Sequence, residues 1–531
     1  MTEGTSMAKF NTGSVKAANG KGFITSETTA TGTTYEGAPG YARDAKSELF
    51  LLAVSNFFGE GSFYEDADSR DDRFVGLVRK VAVSDPEWFT QFVGWLRGEG
   101  NIRSAALVAA LEGADALREA GVAGGRKIVA SALVRADEPG EALAYWISKH
   151  GRRVPQPIKR GIADAATSTY NEYSLGKYDS AKRGFRFGDV IDLVHPTPRG
   201  GAQSSLFKYA LDRRRDPKTE VPSDLTTLEN RAKVLARTKE QNRALLKANP
   251  AAFAAELKEA GLTWEALSGI ISGGMDKAAW EAIIPSMGYM ALLRNLRNFE
   301  QAGVSEGTLD SVAAKIADKD EVAKSRQFPM RFLSAYNATS HSVTFARPLE
   351  KALNASLSNV PALKGKTLIL VDRSGSMFGT PSKNTGLNFA DAAAVFGTAL
   401  ALRAEDATLV QFGSDSSEIR LDKGASILPT LKKFRDLGGT NTAVAVNKHF
   451  NGHDRVIILT DEQAYGGYWG GDPTEEVPSN VPLYTFNLVG YRYGHGKSKA
   501  NRYYFGGLTD ASFRNIDLIE RGVDGRYPWQ D

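Results

Sequence analysis

The side chains best suited to chemistry lie in the last third of the chain. Asp372, Ser374 and Ser376 stand together in Val371-Asp372-Arg373-Ser374-Gly375-Ser376-Met377. Thr440 lies in Gly438-Gly439-Thr440-Asn441-Thr442, and Asp461 in Thr460-Asp461-Glu462. A D-x-S-x-S turn at the carboxyl end of a strand points one carboxylate and two hydroxyls at a common centre, where open α/β sheets bind ligands. Thr440 offers a third hydroxyl and Asp461 a second carboxylate. Oxygen-only donors of low total charge suit a divalent cation such as Mg²⁺ or Mn²⁺ rather than zinc or copper. An incomplete shell leaves one position for an acidic group of a partner.

Other chemistries find less support. Ser374 and Ser376 have no His nearby in sequence, and the chain lacks a G-x-S-x-G elbow and a G-x-x-x-x-G-K-[ST] phosphate loop. There are no cysteines, which excludes disulfides, thiolate zinc sites and cysteine nucleophiles together. Among six histidines the nearest pair is His449 and His453, which beside Asn451 and Gly452 reads as a helix end. The expectation is a non-enzymatic binding protein.

These residues need a sheet to hold them. KTLILVD, ATLVQFG, DRVIILTD and VPLYTFNLVG are short apolar runs bounded by polar residues, as buried parallel strands are. Helical stretches such as NFADAAAVFGTALALRA separate them, so an α/β doubly wound domain is expected over 361–531. Upstream, over 46–360, SELFLLAVSNFFG, DRFVGLVRKVAV, PEWFTQFVGWLRG and IRSAALVAALEGA place apolar residues three and four apart. Gly, Pro and Asp/Ser caps divide them into short helices, one pair after another, which suggests a HEAT-like solenoid. Residues 1–45 are rich in Gly, Thr, Ser and Ala without a helical period and read as a flexible N-terminal arm.

The net charge of +4 on 531 residues hides an asymmetry. Between Trp146 and Arg243 there are 20 Lys and Arg against 11 Asp and Glu, a local +9, which leaves −5 for the remainder. Within this middle, Arg152, Arg153, Lys159, Arg160, Lys177, Lys182, Arg183 and Arg186 alternate with Tyr170, Tyr173, Tyr178, Phe185 and Phe187. Cations supply phosphate affinity and aromatic planes stack on unpaired bases, so the mixture favours single-stranded or looped RNA. The RRR run at 213–215 reads as loop surface. No apolar run reaches the ~18 residues of a membrane span, and no secretory leader is evident, so a cytoplasmic protein is expected.

Taken in order, these motifs resemble a known family. IKRGIADAATSTYNEY, GKY, FRFGDVIDLVHPTP, MGYMALLRNLRNFEQAGV, LILVDRSGSM, GGTNT and LTDEQ look like the Ro autoantigen family of TROVE-module proteins, in its bacterial branch. The likeness runs from about Glu48 to Asp531. The metal pattern itself resembles the metal-ion-dependent adhesion site of von Willebrand factor A domains.

That resemblance implies a monomeric α-helical HEAT-like repeat ring followed by a von Willebrand A-like domain. It implies small Y RNAs on a basic outer surface, and the single-stranded 3′ ends of misfolded or structured RNAs in a central hole. It implies a role in RNA quality control or processing, with a 3′ exoribonuclease such as polynucleotide phosphorylase as partner. The family's Y RNA contact in L-x-H-x-x-P matches His195, and its Lys-Tyr pair upstream of that His matches Lys177-Tyr178, allowing one inserted residue in the spacing to His195. Arg152, Arg153, Lys159, Arg160, Lys182 and Arg183 join them as basic candidates. The rival expectation is a protein-interaction adaptor in which the metal site captures an acidic residue of a partner.

Overall fold

The structure, a computed structural model, describes residues 20–55, 62–180, 183–339, 342–358, 360–379, 388–421, 425–465, 472–507, 510–522 and 524–530. They fall into two compact units. One spans 66–358; the other combines the described residues of 20–56, 61–65 and 359–531.

From Ala67 to Ser356 the first unit is a succession of short helices. Asp66, Asp85, Asn171, Thr238, Asn249, Thr263, Asp276, Asp318 and Ser342 each accept the backbone N–H three positions on, starting the helix that follows. Each such cap is worth about 1 kcal/mol. Asp85 also ends the helix Ala67–Ser84, and Pro86 opens Pro86–Arg97 at a position where its missing N–H costs nothing. Behind these caps lie apolar faces such as Phe89, Phe92, Val93 and Leu96, all buried. Burying each of these side chains contributes roughly 1.5–3 kcal/mol. Phe89 packs so closely on Gly113 that a methyl there would collide with its ring.

The helical series returns to its own beginning, as a ring of repeats must. Arg326 Nη1 donates to the Gly98 carbonyl (3.2 Å), and Asn101 Nδ2 donates to the Arg326 carbonyl (3.3 Å). Arg326 and Asn101 both sit in the left-handed region, at φ 50° and 48°.

In the second unit β1 (Gly32–Thr33), β2 (Pro39–Ala42) and β8 (Tyr493–Gly494) form a small antiparallel sheet. The main sheet uses β3 (Lys366–Asp372), β4 (Asp406–Phe412), β5 (Ser416–Glu418), β6 (Arg455–Thr460), β7 (Leu483–Asn487) and β9 (Arg502–Gly506). Its order is β5-β4-β3-β6-β7-β9, with only the edge strand β5 antiparallel. This is the doubly wound von Willebrand A-like arrangement expected. The chain runs from β3 to β4 on one side and later crosses to β6 on the other. The carboxyl ends of β3 and β6 therefore flank the crevice where the strand order reverses. Leu368, Leu370, Val410, Phe412, Val456, Ile458 and Leu483 pack with Ala445 and Val446 of the helix Thr442–His449 as a continuous core.

Two boundaries differ from the sequence reading. Residues 20–44, expected as a flexible arm, are built into the α/β unit: β2 pairs with β8, and buried Arg43 forms an ion pair with buried Glu462. Phe23 meets the rings of Phe50, Phe505 and Tyr527 within 5.8 Å, so a Gly- and Thr-rich segment is anchored by a few aromatic and charged contacts. Residues 1–19 lie outside the described residues. The helix Ala45–Ser55, expected to open the ring, likewise belongs to the α/β unit and packs against β9. Its nearly all-buried sequence suits a helix lying on a sheet. Among the described residues no helix is long and apolar enough to cross a membrane.

Candidate nucleic-acid interface and metal centre

Strand pairing assembles the metal candidates. Val371 pairs with Leu459 in the β3–β6 register, so Asp372 at the end of β3 falls beside Thr460 at the end of β6. Thr460 Oγ1 donates to Asp372 Oδ2 (2.5 Å), and the Ser374 backbone N–H donates to Oδ1 (2.8 Å). Ser374 and Ser376 hydroxyls lie 3.3 Å apart. The loop carrying Thr440 is tied to this turn by a Ser374–Gly438 bridge and by Gly375 N–H donating to the Gly438 carbonyl (2.6 Å). Gly438 takes φ +74°, which favours glycine at that bend. Asp372, Ser374, Ser376, Thr440 and Asp461 are all buried, at the ends of β3 and β6 and in the loop tied to the β3 turn.

The electrostatics of this cluster fit a cation. Asp461 Oδ1 accepts from the Gln463 N–H (3.0 Å), but its buried Oδ2 has no hydrogen-bond partner among the described residues. Burial first, and then the Asp372 charge, raises the Asp461 pKa; burial is also the main cause raising Asp372. Two buried carboxylates that resist ionising, one with an orphaned oxygen, have the balance a divalent ion restores. No group of three or more His, Cys, Asp or Glu side chains suited to a metal forms among the described residues. The donor set is therefore hydroxyl-rich, as hard cations accept. Asp372, Ser374, Ser376, Thr440 and Asp461 would hold it. Thr460, which orients Asp372, escaped the sequence reading. Strand pairing beside Asp372 was the signal for it.

In the helical unit three basic candidates converge. Lys159 and Arg160 in the helix Gln156–Thr169, with His195 at the end of Phe187–Val194, line one cavity of about 490 Å³. Arg126, Gln156, Thr167 and Thr197 line it too. His195 caps its helix in the left-handed conformation (φ 50°, ψ 61°), with Pro196 ending the helix behind it. A non-glycine residue held there stores of order 1 kcal/mol and marks a place where the surrounding fold dictates the backbone. The surrounding fold is visible. Thr167 Oγ1 donates to the Thr197 carbonyl (3.0 Å), and Gln203 Oε1 accepts from the Arg199 N–H (2.8 Å). His195 is thereby presented outward, exposed. Arg126 is oriented by two hydrogen bonds to Asp164, of 2.6 and 2.7 Å. No motif in the sequence singles it out.

The remaining candidates are placed differently. Arg152 and Arg153 are exposed in the turn before Gln156–Thr169, outside the cavity lining, and the Arg153 carbonyl accepts from Trp146 Nε1 (3.0 Å). Lys177 and Tyr178 are not in the cavity with His195. Lys177 Nζ lies over the rings of Tyr173 and Tyr178, at 5.5 and 5.2 Å. Burial lowers its pKa, but the neighbouring tyrosines outweigh that and leave it raised. Tyr178 also faces Arg135 and Arg183, at 5.6 and 5.9 Å, so cations already crowd its ring. Arg183 pairs with Glu141 (3.1 Å) and Asp137 (3.5 Å) and is committed to the fold. Lys182 lies outside the described residues. Phe187 is core, stacked 3.7 Å from Tyr170. The RRR run is the last turn of the helix Gly201–Arg215 rather than loop, and Arg214 pairs there with Asp189 and Asp192.

Residues 258–367 match the family model of the TROVE domain. The crystal structure of the Deinococcus radiodurans RO (RSR) protein is similar, with a TM-score of 0.60 at 18% identity, covering 90% of this chain and all of that one. The chain thus carries a TROVE-domain match over part of its length and shares the fold of that Ro protein. The matched stretch begins after His195 and stops before Asp372, so it bears on the fold and not on either site. No curated protein matches the chain.

Proposed function

We propose that the chain is an RNA-binding scaffold. The TROVE match and the Ro fold support RNA binding as its class of function. The observation that carries the reading to residues is the convergence of Arg126, Lys159, Arg160 and His195 on one cavity. Two cations unpaired among the described residues, Arg126 paired with the Asp164 that also lines the cavity, and an exposed imidazole, set among hydroxyl and amide groups, suit a phosphate backbone with an adjoining base. In this reading the basic surface takes a small Y-type RNA. The ring accepts single-stranded 3′ ends of misfolded or structured RNA and presents them to a 3′ exoribonuclease of the polynucleotide phosphorylase kind, in the cytoplasm.

The protein binds RNA and leaves cutting to its partner. Ser374 Oγ contacts Ser376 Oγ rather than an imidazole, so no histidine base activates these hydroxyls. Filter binding of a Y-like stem-loop RNA across a salt series tests the interface. Removing Lys159 and Arg160 together should lower the slope of log K against log salt by about two. His195→Ala should weaken binding with little change of slope. Micromolar binding indifferent to all three substitutions would refute the site.

A second reading has its own observation, the orphaned Asp461 carboxylate oxygen. We propose that the α/β unit holds Mg²⁺ or Mn²⁺ there and uses it to capture an acidic partner residue. Chelator or Asp372→Ala would then abolish partner capture and leave RNA binding intact.

A further inference from the structure

The open side of the metal site is covered by the chain itself. Two segments of the α/β unit reach it. Residues 34–37 are fastened along the loop after Asp461. Thr34 Oγ1 donates to the Ala464 carbonyl (2.9 Å), the Tyr35 N–H donates to Gln463 Oε1 (2.8 Å), and Gly37 bridges to Tyr465. Residues 62–65 pass beside the metal turn, where the Phe63 backbone approaches Gly379.

The segments lock together through aromatic rings. Tyr35 and Tyr64 stack at 4.7 Å with planes 5° apart, and Tyr491 meets both edge-on at 5.4 and 5.6 Å. The packing fixes the Tyr64 hydroxyl at one point. It donates to Glu36 Oε1, stands against the Ser376 hydroxyl, and lies in the field of Asp461.

Glu36 therefore carries a third carboxylate to within one hydroxyl of a site already holding two buried ones. Gathering acids in this way is costly unless a cation offsets their repulsion. The Glu36 carboxylate also has the chemistry that the incomplete metal shell leaves room for.

We infer that the Glu36–Tyr64 pair is a built-in cap on the metal's open position, which an acidic partner must displace before it can bind. This rests on the metal reading of Asp372, Ser374, Ser376, Thr440 and Asp461. A capped site binds any outside carboxylate more weakly, by the fraction of time the cap is lifted. The 34–37 turn can lift by breaking the buried Thr34–Ala464 and part-buried Tyr35–Gln463 hydrogen bonds while β2 stays in its sheet.

The full chain loaded with Mn²⁺ tests this, with water-proton relaxation reporting exchangeable waters on the metal and glutarate standing in for the acidic partner. Glu36→Gln and Tyr64→Phe should each raise the relaxation enhancement and tighten glutarate binding by about five- to tenfold over the parent. Equal relaxation and equal glutarate affinity in all three proteins, with Mn²⁺ binding lost only in Asp372→Ala, would overturn the cap and leave the metal site standing. A parent that binds no Mn²⁺ would refute the metal reading, and the cap with it.

Discussion

His195 shows how one residue can be read for function through its backbone. Its φ of 50° is held at the helix end by the Thr167 and Gln203 contacts that pin the following loop, against the extended conformation that Pro196 would favour. Glycine adopts this conformation freely. His195→Gly should therefore leave the urea-unfolding free energy within about 1 kcal/mol of the parent, or slightly above it. RNA affinity should fall by about fivefold or more, the worth of one lost hydrogen bond in a bound complex. Equal losses of stability and affinity would mean that the imidazole supports the loop rather than the ligand. Arg183 is the opposite lesson. In sequence it is one more cation of the basic middle, yet Glu141 and Asp137, more than forty residues away, claim its guanidinium.

At the scale of elements, the strand ends bring the metal ligands together, and their burial makes that meeting sensitive to pH. A carboxylate whose pKa is raised by folding favours its protonated form. Its charge weakens the metal-free fold as pH climbs from the unfolded value of about 4 through the higher folded one. A divalent ion needs both acids ionised, so it competes with protons. The rise in melting temperature on adding Mg²⁺ should be larger at pH 7.5 than at pH 5.5, and absent in Asp372→Ala. Calorimetry at the two pH values checks this, and an equal shift at both would count against paired carboxylates as the ligands.

Much of this element was legible in advance. KTLILVD, ATLVQFG, DRVIILTD and VPLYTFNLVG became β3, β4, β6 and β7, and D-x-S-x-S fell at the end of the first. Apolar runs and strand-end hydroxyls are local signals. What stayed hidden depends on contacts between distant residues. Residues 20–44 lack a local period and are ordered by β8 and Glu462; Tyr64 and Glu36 acquire meaning only once three segments meet. The cavity was half legible, because Lys159, Arg160 and His195 carried charge or motif. Arg126 was lost among ordinary helix-surface cations.

At the scale of the whole molecule, exposed hydrogen bonds take part in closing the helical unit. Arg326 and Asn101 supply two polar contacts across sequence separations of 228 and 225 residues. Exposed hydrogen bonds of this kind contribute about 1 kcal/mol each. Arg326→Ala should leave the global unfolding free energy within about 1 kcal/mol of the parent. It should speed hydrogen exchange around residues 98–102 and 324–328 severalfold. Unchanged exchange there would show that packing alone holds the two ends together.

The pairing of β2 with β8 also sets a schedule. Tyr41 and Ala42 leave the ribosome about 450 residues before Gly494 and Tyr493, their partners. At 5–20 residues per second that is a wait of roughly 20–90 s. The helical unit is synthesised in between, with all its own partners at hand. Each new molecule thus passes through a stage in which the helical unit can already be folded while the buried face of Ala45–Ser55 has nothing to cover it. It is in that interval, and not in the finished protein, that this chain most needs a chaperone.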